Sequence, residues 1–333
     1  MQSEASDLHF SVGHPPTLRV SGDLRPYDSP PLTEKDINML IAEMTNESQK
    51  ERIDKGEEVD FSFGHKNTTN DARFRANIYH ESGNKAAALR FIPSKIRTLD
   101  ELNLPPILKE FSKPSQGFVL VVGPAGHGKT TVMASLIDLI NHTRNDHIIT
   151  IEDPIEYIFT PDKCIIHQRE VGQDTATFQT GLRSMFRQDP DVIMIGEMRG
   201  ADSMSAAVTG AETGHLVFAS LHTNTASQTI DRIIDSFPAH QQDQIRTQLA
   251  STLLGVISRR LIRKLDGQLT SAVELLIVNS AVRNLIREGK SHQVDLVIET
   301  SANEGMISLN QSLLKLVKVR EITMEQALVY SSN

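Results

Sequence analysis

Eight consecutive residues, Gly123-Pro124-Ala125-Gly126-His127-Gly128-Lys129-Thr130, fit the pattern G-x-x-x-x-G-K-[ST]. At ordinary glycine frequency, chance produces it about once per hundred chains of this length. The residue types suit phosphate chemistry. Gly123, Gly126 and Gly128 allow positive φ, so that backbone N–H groups can turn inward on phosphate oxygens. The backbone does that cradling at His127 as well, so the side chain there is expected to be replaceable. Lys129 would reach the β and γ phosphates, and the Thr130 hydroxyl would ligate Mg²⁺. Thr131 follows in the same first helical turn, whose dipole also favours an anion.

Two acidic groups follow apolar runs. Val192-Ile193-Met194-Ile195 is followed by Gly196-Glu197, the place of a carboxylate that approaches Mg²⁺ beside a phosphate loop. Ile151 is followed by Glu152-Asp153-Pro154-Ile155-Glu156. In open parallel sheets the carboxyl ends of strands line the ligand crevice, so both groups should face the nucleotide. Carboxylates there can orient water, accept its proton or hold a metal through its waters. His215 and His222 bracket a third apolar run, Leu216 to Leu221. They lie at opposite ends of one strand, and spacing alone favours His222 with Thr223 and Asn224.

The elements that must position these groups follow from periodicity. Phe118 to Val122 is short and wholly apolar, a strand buried on both faces. His147 to Ile151, Val192 to Ile195 and Leu216 to Ala219 read alike and alternate with helical stretches, which predicts a mainly parallel sheet. From Ala239 onward the pattern predicts mostly helix, with one further strand possible over Ala272 to Val278. Earlier in the chain the period is two. Leu8 to Val12, Val59-Phe61-Phe63, Phe74-Ala76-Ile78 and Ala87 to Phe91 read as strands, and Thr17 to Arg25 as a hairpin turning at Ser21-Gly22-Asp23. Thr33 and Asp36 predict a capping box ahead of a helix with its apolar stripe at Ile37, Leu40, Ile41 and Met44. Pro93, Pro105 and Pro106 mark a linker and hinge. The fold class is α/β, with a small α+β domain over 1–93, a linker over 94–106 and an ATPase-type domain over 107–333 whose carboxyl-terminal part is helical.

Composition limits the function classes. Of 333 residues, 39% are apolar and 23% charged, enough to bury a core, and with no Trp that core is aliphatic. Lys plus Arg is 34 against Asp plus Glu at 42, a net charge of −8, which argues against nonspecific wrapping of nucleic acid. A single cysteine, Cys164, excludes an intramolecular disulfide framework and a four-cysteine zinc element, and should be a small buried hydrophobe. No apolar stretch reaches the length of a bilayer span, and Met1 to Glu4 lacks the character of a secretion signal. The Asp-x-x-Gly and Asn-Lys-x-Asp pair of Ras-type GTPases is missing, as is a Leu-Ser-Gly-Gly-Gln signature.

Several segments together resemble the PilT-type ATPases, the retraction motors of type IV pili within the secretion ATPase superfamily. They are Ala5 to His9, Ile151 to Tyr157, Gly196 to Arg199, Gly210 to Phe218 and Ala281 to Glu288, and the likeness runs from Ser6 to Ala327. The resemblance implies a PAS-like amino-terminal domain, a RecA-like ATPase domain and a homohexamer. It implies that Glu152, Asp153 and Glu156 form an acidic box with Glu156 activating water, that Glu197 is the Walker B acid, and that His215 and His222 act as a pair. It also implies that amino-terminal arginines reach a nucleotide, with Arg75 and Arg90 preferred over Arg73.

Four departures stand out. Only four residues precede Ala5, where a leading helix is usual. His127 replaces a common serine, Gly200 a usual aspartate, and Ser115-Gln116 the customary residues before Gly117.

The expected protein is a cytoplasmic ATP- and Mg²⁺-dependent motor, held at the inner membrane by a pilus platform protein and binding no nucleic acid. The alternatives are a motor for pilus assembly or for type II or type IV secretion, a RecA-like nucleic-acid motor, and a nucleotide sensor with little turnover. Ala281 to Lys290 reads as a short helix capped by Ser280 and ended by Gly289. Arg283, Arg287 and Lys290 would form a basic face opposite a buried stripe of Val282, Leu285 and Ile286; the bare reading is a solvated face, and the resemblance implies a working surface that couples hydrolysis to retraction.

Overall fold

In a computed structural model of the chain, the described residues are 5–20, 23–66, 71–92 and 95–331. They divide into two compact units, one of Met1–Lys95 with Asp153–Ile158, the other of Ile96–Glu152 with Phe159–Asn333. The expected turn residues Ser21 and Gly22, and Pro93 of the expected linker, lie outside the described residues.

The first unit carries β1 (Ala5–Phe10), β2 (Thr17–Val20), β3 (Asp23–Pro26), α1 (Glu34–Met44), α2 (Glu47–Asp54), β4 (Val59–Lys66), β5 (Asp71–Glu81) and β6 (Asn84–Ile92). Its sheet runs β3-β2-β1-β6-β5-β4, antiparallel throughout. The alternation of apolar residues is used as expected. Val59, Phe61, Phe74, Ala76, Ile78 and Leu89 are buried together with Ile37 and Ile41 of α1. Thr33 and Asp36 close the capping box that starts α1.

The second unit carries β7 (Gly117–Val122), α3 (Lys129–Thr143), β8 (His147–Glu152), β9 (Ile165–Glu170), α4 (Phe178–Met185), β10 (Val192–Ile195), α5 (Ala201–Glu212), β11 (Leu216–Leu221), α6 (Ala226–Asp235), α7 (Ala239–Thr252), β12 (Leu253–Arg263), β13 (Leu269–Ile277), α8 (Ser280–Arg287), α9 (Val294–Thr300), α10 (Leu309–Lys318) and α11 (Met324–Tyr330). The sheet order is β13-β12-β7-β11-β10-β8-β9, with every neighbouring pair parallel except β12 and β13. β7, β10 and β11 are buried along their whole length, as continuous apolar runs in a covered parallel sheet should be. Cys164 is buried as expected.

Two strands differ from the sequence expectation. β12 lies in a stretch read as helix. Leu253-Leu254-Gly255-Val256-Ile257 is an apolar run that could serve either element, and pairing with β7 on one side and β13 on the other decides for strand. β9 shows no clean alternation, because Ile165 is exposed on a sheet edge. In the expected linker, Leu99, Leu102 and Leu104 are buried, and the Ser135 hydroxyl donates to Arg97 O at 2.6 Å.

Gly255 marks a close approach near the start of β12. A Cβ there would come within 2.4 Å of the Phe111 ring and 2.7 Å of Leu276 O. Gly255→Ala should therefore destabilise the fold by roughly 1–3 kcal/mol through overpacking. Urea denaturation of both proteins checks this, and equal midpoints would contradict the packing described.

Candidate active site

The phosphate loop leaves the carboxyl end of β7. Gly126 and Gly128 both have φ of +77°, conformations that disfavour side chains. Gly123 is required for space as well, since a Cβ there would lie 2.3 Å from Arg259 O. The loop feeds directly into α3, whose first residue is Lys129. Lys129 is only 8% exposed. Its ammonium donates to Gly123 O and Pro124 O, each at 3.0 Å, and to His222 Nδ1 at 3.2 Å. Thr130 and Thr131 follow, both half-buried.

Strand order explains what else reaches this ammonium. β11, not β10, is the neighbour of β7, with Leu221 opposite Val122. His222 is the next residue after Leu221 and so arrives beside Lys129. β10 comes one strand further out, and Glu197 reaches the loop through His222, whose Nε2 lies 3.1 Å from Glu197 Oε1. Arg199 Nε is 3.3 Å from the other carboxylate oxygen. Backbone ties hold the two strand ends in step: Ser220 Oγ donates to Gly196 O at 2.6 Å, and Met198 N to Ser220 O at 3.0 Å. With Lys129 donating to Nδ1, the imidazole carries its own proton on Nε2 and turns it toward Glu197. The result is a line of Lys129, His222, Glu197 and Arg199 across three strand ends.

The other expected residues are placed as follows. Glu152 ends β8 and is 2% exposed. It accepts from the Thr150 hydroxyl at 2.7 Å and from Gln168 Nε2 at 3.4 Å. Its side chain packs close to Gly196, where a Cβ would meet Glu152 Cγ at 3.5 Å. Asp153 and Glu156 belong to the first unit. In that unit Arg75 lies 3.9 Å from both Glu156 Oε1 and Asp60 Oδ1. Arg90 Nε is 2.9 Å from Asp7 Oδ1. Partial burial raises the Asp7 carboxyl, but hydrogen bonds from Ser6 and Arg90 outweigh it and hold the group below its ordinary value. Arg73 donates to Ser62 Oγ at 2.6 Å. His215 stands at the amino end of β11, with Nδ1 donating to Gly210 O at 2.9 Å and its ring edge-on to Phe186. The structure does not bring it to the Lys129 line.

Two residues of β12 entered none of these expectations. Arg259, 3% exposed, donates through Nη1 to Gly128 O at 3.0 Å, and Nε and Nη2 donate to Ser271 Oγ at 3.1 and 2.9 Å. Leu261 N donates to His127 Nδ1 at 3.0 Å. The signal available in the sequence was an arginine pair, Arg259-Arg260, inside an otherwise apolar run. The expected helix also needs correction. Asn279, not Ser280, caps α8, by accepting from Val282 N. Arg283 does not stand in a solvated basic face. It donates to Ala250 O at 2.6 Å and Ser251 O at 2.9 Å, carbonyls in the last turn of α7, which have no partner within the helix.

The family model described as "Type II/IV secretion system protein" matches residues 1–330. This chain belongs to the type II/IV secretion system protein family. It is 44% identical to the "Type IV pilus retractation ATPase PilT" of Pseudomonas aeruginosa, over 97% of this chain and 93% of that one. It is 42% identical to the "Twitching motility protein" of Neisseria gonorrhoeae, over 94% and 83% of the two chains. Among solved structures, "Crystal Structure of the Pilus Retraction Motor PilT and Bound ADP" superposes with a TM-score of 0.91 at 46% identity, covering 99% of this chain and 94% of that one. The ATPase DotB of Legionella pneumophila gives 0.81 at 25% identity, covering 98% and 91%.

Behind the His222 loop of this secretion-family fold lies a buried acid. Glu274 on β13 accepts from Ala226 N, the first residue of α6, at 2.8 Å. Burial raises its carboxyl from an ordinary 4.5 to about 7, with Asp295 adding to the rise and Ala226 N–H and Arg260 opposing it. The folded state thus keeps a proton that the unfolded chain releases. That contribution to stability is fully present below about pH 4.5 and is lost as pH rises through 7. Glu274→Gln should remove the loss and gain up to roughly 3 kcal/mol on wild type between pH 5 and 8. Urea denaturation at both pH values measures it, and parallel pH slopes for the two proteins would contradict the assignment.

Proposed function

We propose that this chain is an ATP-hydrolysing motor that powers retraction of a type IV pilus. The observation that carries the reading is the buried Lys129 ammonium at the mouth of a glycine loop, in line with His222 and Glu197. Near-full-length similarity to a protein named as a retraction ATPase supports the pilus assignment. The loop N–H groups and the α3 amino terminus suit a polyphosphate, as does the ammonium.

In this reading Lys129 moves from its carbonyl partners to the phosphates, and the Thr130 and Thr131 hydroxyls lie in the turn that faces them. The donor set fits Mg²⁺, a hard cation that takes a hydroxyl and a carboxylate, Thr130 and Glu197, and completes its shell with water and phosphate. Among the described residues no group of three or more His, Cys, Asp or Glu side chains could hold a metal by itself, consistent with an ion brought in on the nucleotide. Mg²⁺ would neutralise charge that develops on the phosphate oxygens.

His222 holds a proton between Lys129 and Glu197 and can pass the state of one to the other. Glu156 accepts the proton of the attacking water, Asp153 supports it, and Glu152 fixes the strand end from beneath. Arg75 and Arg90 act at a site completed by assembly of a homohexamer, which ties turnover to motion about the segment 94–106. His215 serves packing at the far end of β11. No helix of the described residues is long and apolar enough to cross a membrane. A platform protein at the cytoplasmic face of the inner membrane is the partner this reading assigns to it.

Glu156→Gln tests the chemistry, because an amide cannot take water's proton. Turnover should fall by about 10² or more while ADP affinity stays within a few-fold. Phosphate release and ADP titration on the same preparation measure both, and turnover at the wild-type rate would remove Glu156 as the base. In the host, deletion of the gene should leave cells with surface pili that do not retract.

A further inference from the structure

The pairing of β12 with β7 ends at Ser258 opposite Val122, because β7 turns away there into the phosphate loop. β12 continues for five more residues, to Arg263, paired only with β13 on its other side. An N–H on that open edge needs an acceptor, since unpaired backbone groups away from water are costly. Leu261 N finds one in His127 Nδ1 at 3.0 Å. A side chain of the loop thus takes the place of the missing strand. One residue further along the loop, Gly128 O accepts from Arg259 Nη1 at 3.0 Å. At the start of the loop, Arg259 O closes on Gly123 so tightly that no Cβ fits. β12 therefore touches the loop at its first residue, at His127 and at the residue before Lys129.

We propose that His127 is a positioning residue, which fixes the phosphate loop to β12 in its nucleotide-binding conformation before the nucleotide arrives. The inference rests on the ATPase reading above and changes what was expected of this position. The loop backbone would cradle the phosphates, while the His127 side chain secures that backbone to β12. A loop held in advance loses less freedom on binding, so the bond contributes to affinity more than to the chemical step. The acceptor must sit two bonds beyond Cβ. A serine hydroxyl is one bond short, whereas an asparagine Oδ1 occupies the equivalent place. Burial lowers the imidazole's affinity for a proton, and Arg260, Lys129 and Arg259 lower it further, which keeps Nδ1 available as an acceptor.

The test compares wild type, His127→Ala, His127→Ser and His127→Asn as full chains. The probes are ADP for Kd, and ATP turnover for KM and kcat. His127→Ala and His127→Ser should raise the ADP Kd and the ATP KM about tenfold, the worth of one hydrogen bond. Their kcat at saturating ATP should stay within about twofold, and their melting temperature without nucleotide should fall only slightly, as the loss of one hydrogen bond to Leu261 N requires. His127→Asn should bring Kd back to within about threefold of wild type. Wild-type affinity in the alanine variant would overturn the proposal. So would an asparagine variant as weak as alanine, or a loss in the alanine variant that appears in kcat rather than in Kd and KM. Wild-type protein that binds no ADP would overturn the nucleotide reading itself, and this inference with it.

Discussion

β7 is buried over all six of its residues, clamped between β12 and β11, and the chain must leave it and enter α3 within six more. That constraint governs the phosphate loop. A turn so tight, beside two strand ends, leaves no room for Cβ at Gly123 and demands left-handed backbone at Gly126 and Gly128. It also decides where Lys129 goes. The ammonium is drawn back over the loop onto two of the loop's own carbonyls. A buried cation is tolerable only with such partners, and here they are dipoles that a polyphosphate can outbid.

The same strand order assigns roles to the neighbours. Because β11 separates β7 from β10, the group beside the lysine is an imidazole and the carboxylate stands behind it. A carboxylate in direct contact with Lys129 would neutralise the charge that phosphate needs. The neutral His222 keeps the two apart while hydrogen-bonding to both. On the other side β12 supports the loop, through Arg259 and through the His127 to Leu261 bond. The phosphate site is thus held from both flanking strands, and its geometry belongs to the sheet as much as to the loop.

Much of this was legible in the sequence, for identifiable reasons. The phosphate loop, β7, β10 and β11 are local patterns, readable from glycine spacing and short apolar runs. The likeness of the carboxyl ends of β8, β10 and β11 followed from parallel topology. Position on one strand alone put His222 ahead of His215, and in the structure His222 lies beside Lys129 while His215 bonds to Gly210 O. What stayed hidden depends on pairing across long separations. β12 reads as helix until its partners, 135 and 12 residues away at Leu253–Phe118 and Arg260–Ala272, are known, and those pairings alone make it a strand. Arg259 entered no expectation and Arg283 read as part of a basic face, because nothing local reveals that carbonyls of Gly128, Ala250 and Ser251 need donors.

The central claim is that Lys129 is the charge that holds the phosphates. The most direct measurement is nucleotide binding and phosphate release by Lys129→Met beside wild type. Methionine keeps most of the chain's length and apolar stem while removing the ammonium. ADP binding should weaken by at least about a hundredfold and ATP turnover should fall to background, with the unfolding transition preserved. Undiminished binding or turnover in that variant would contradict the assignment of this loop as the ATP site.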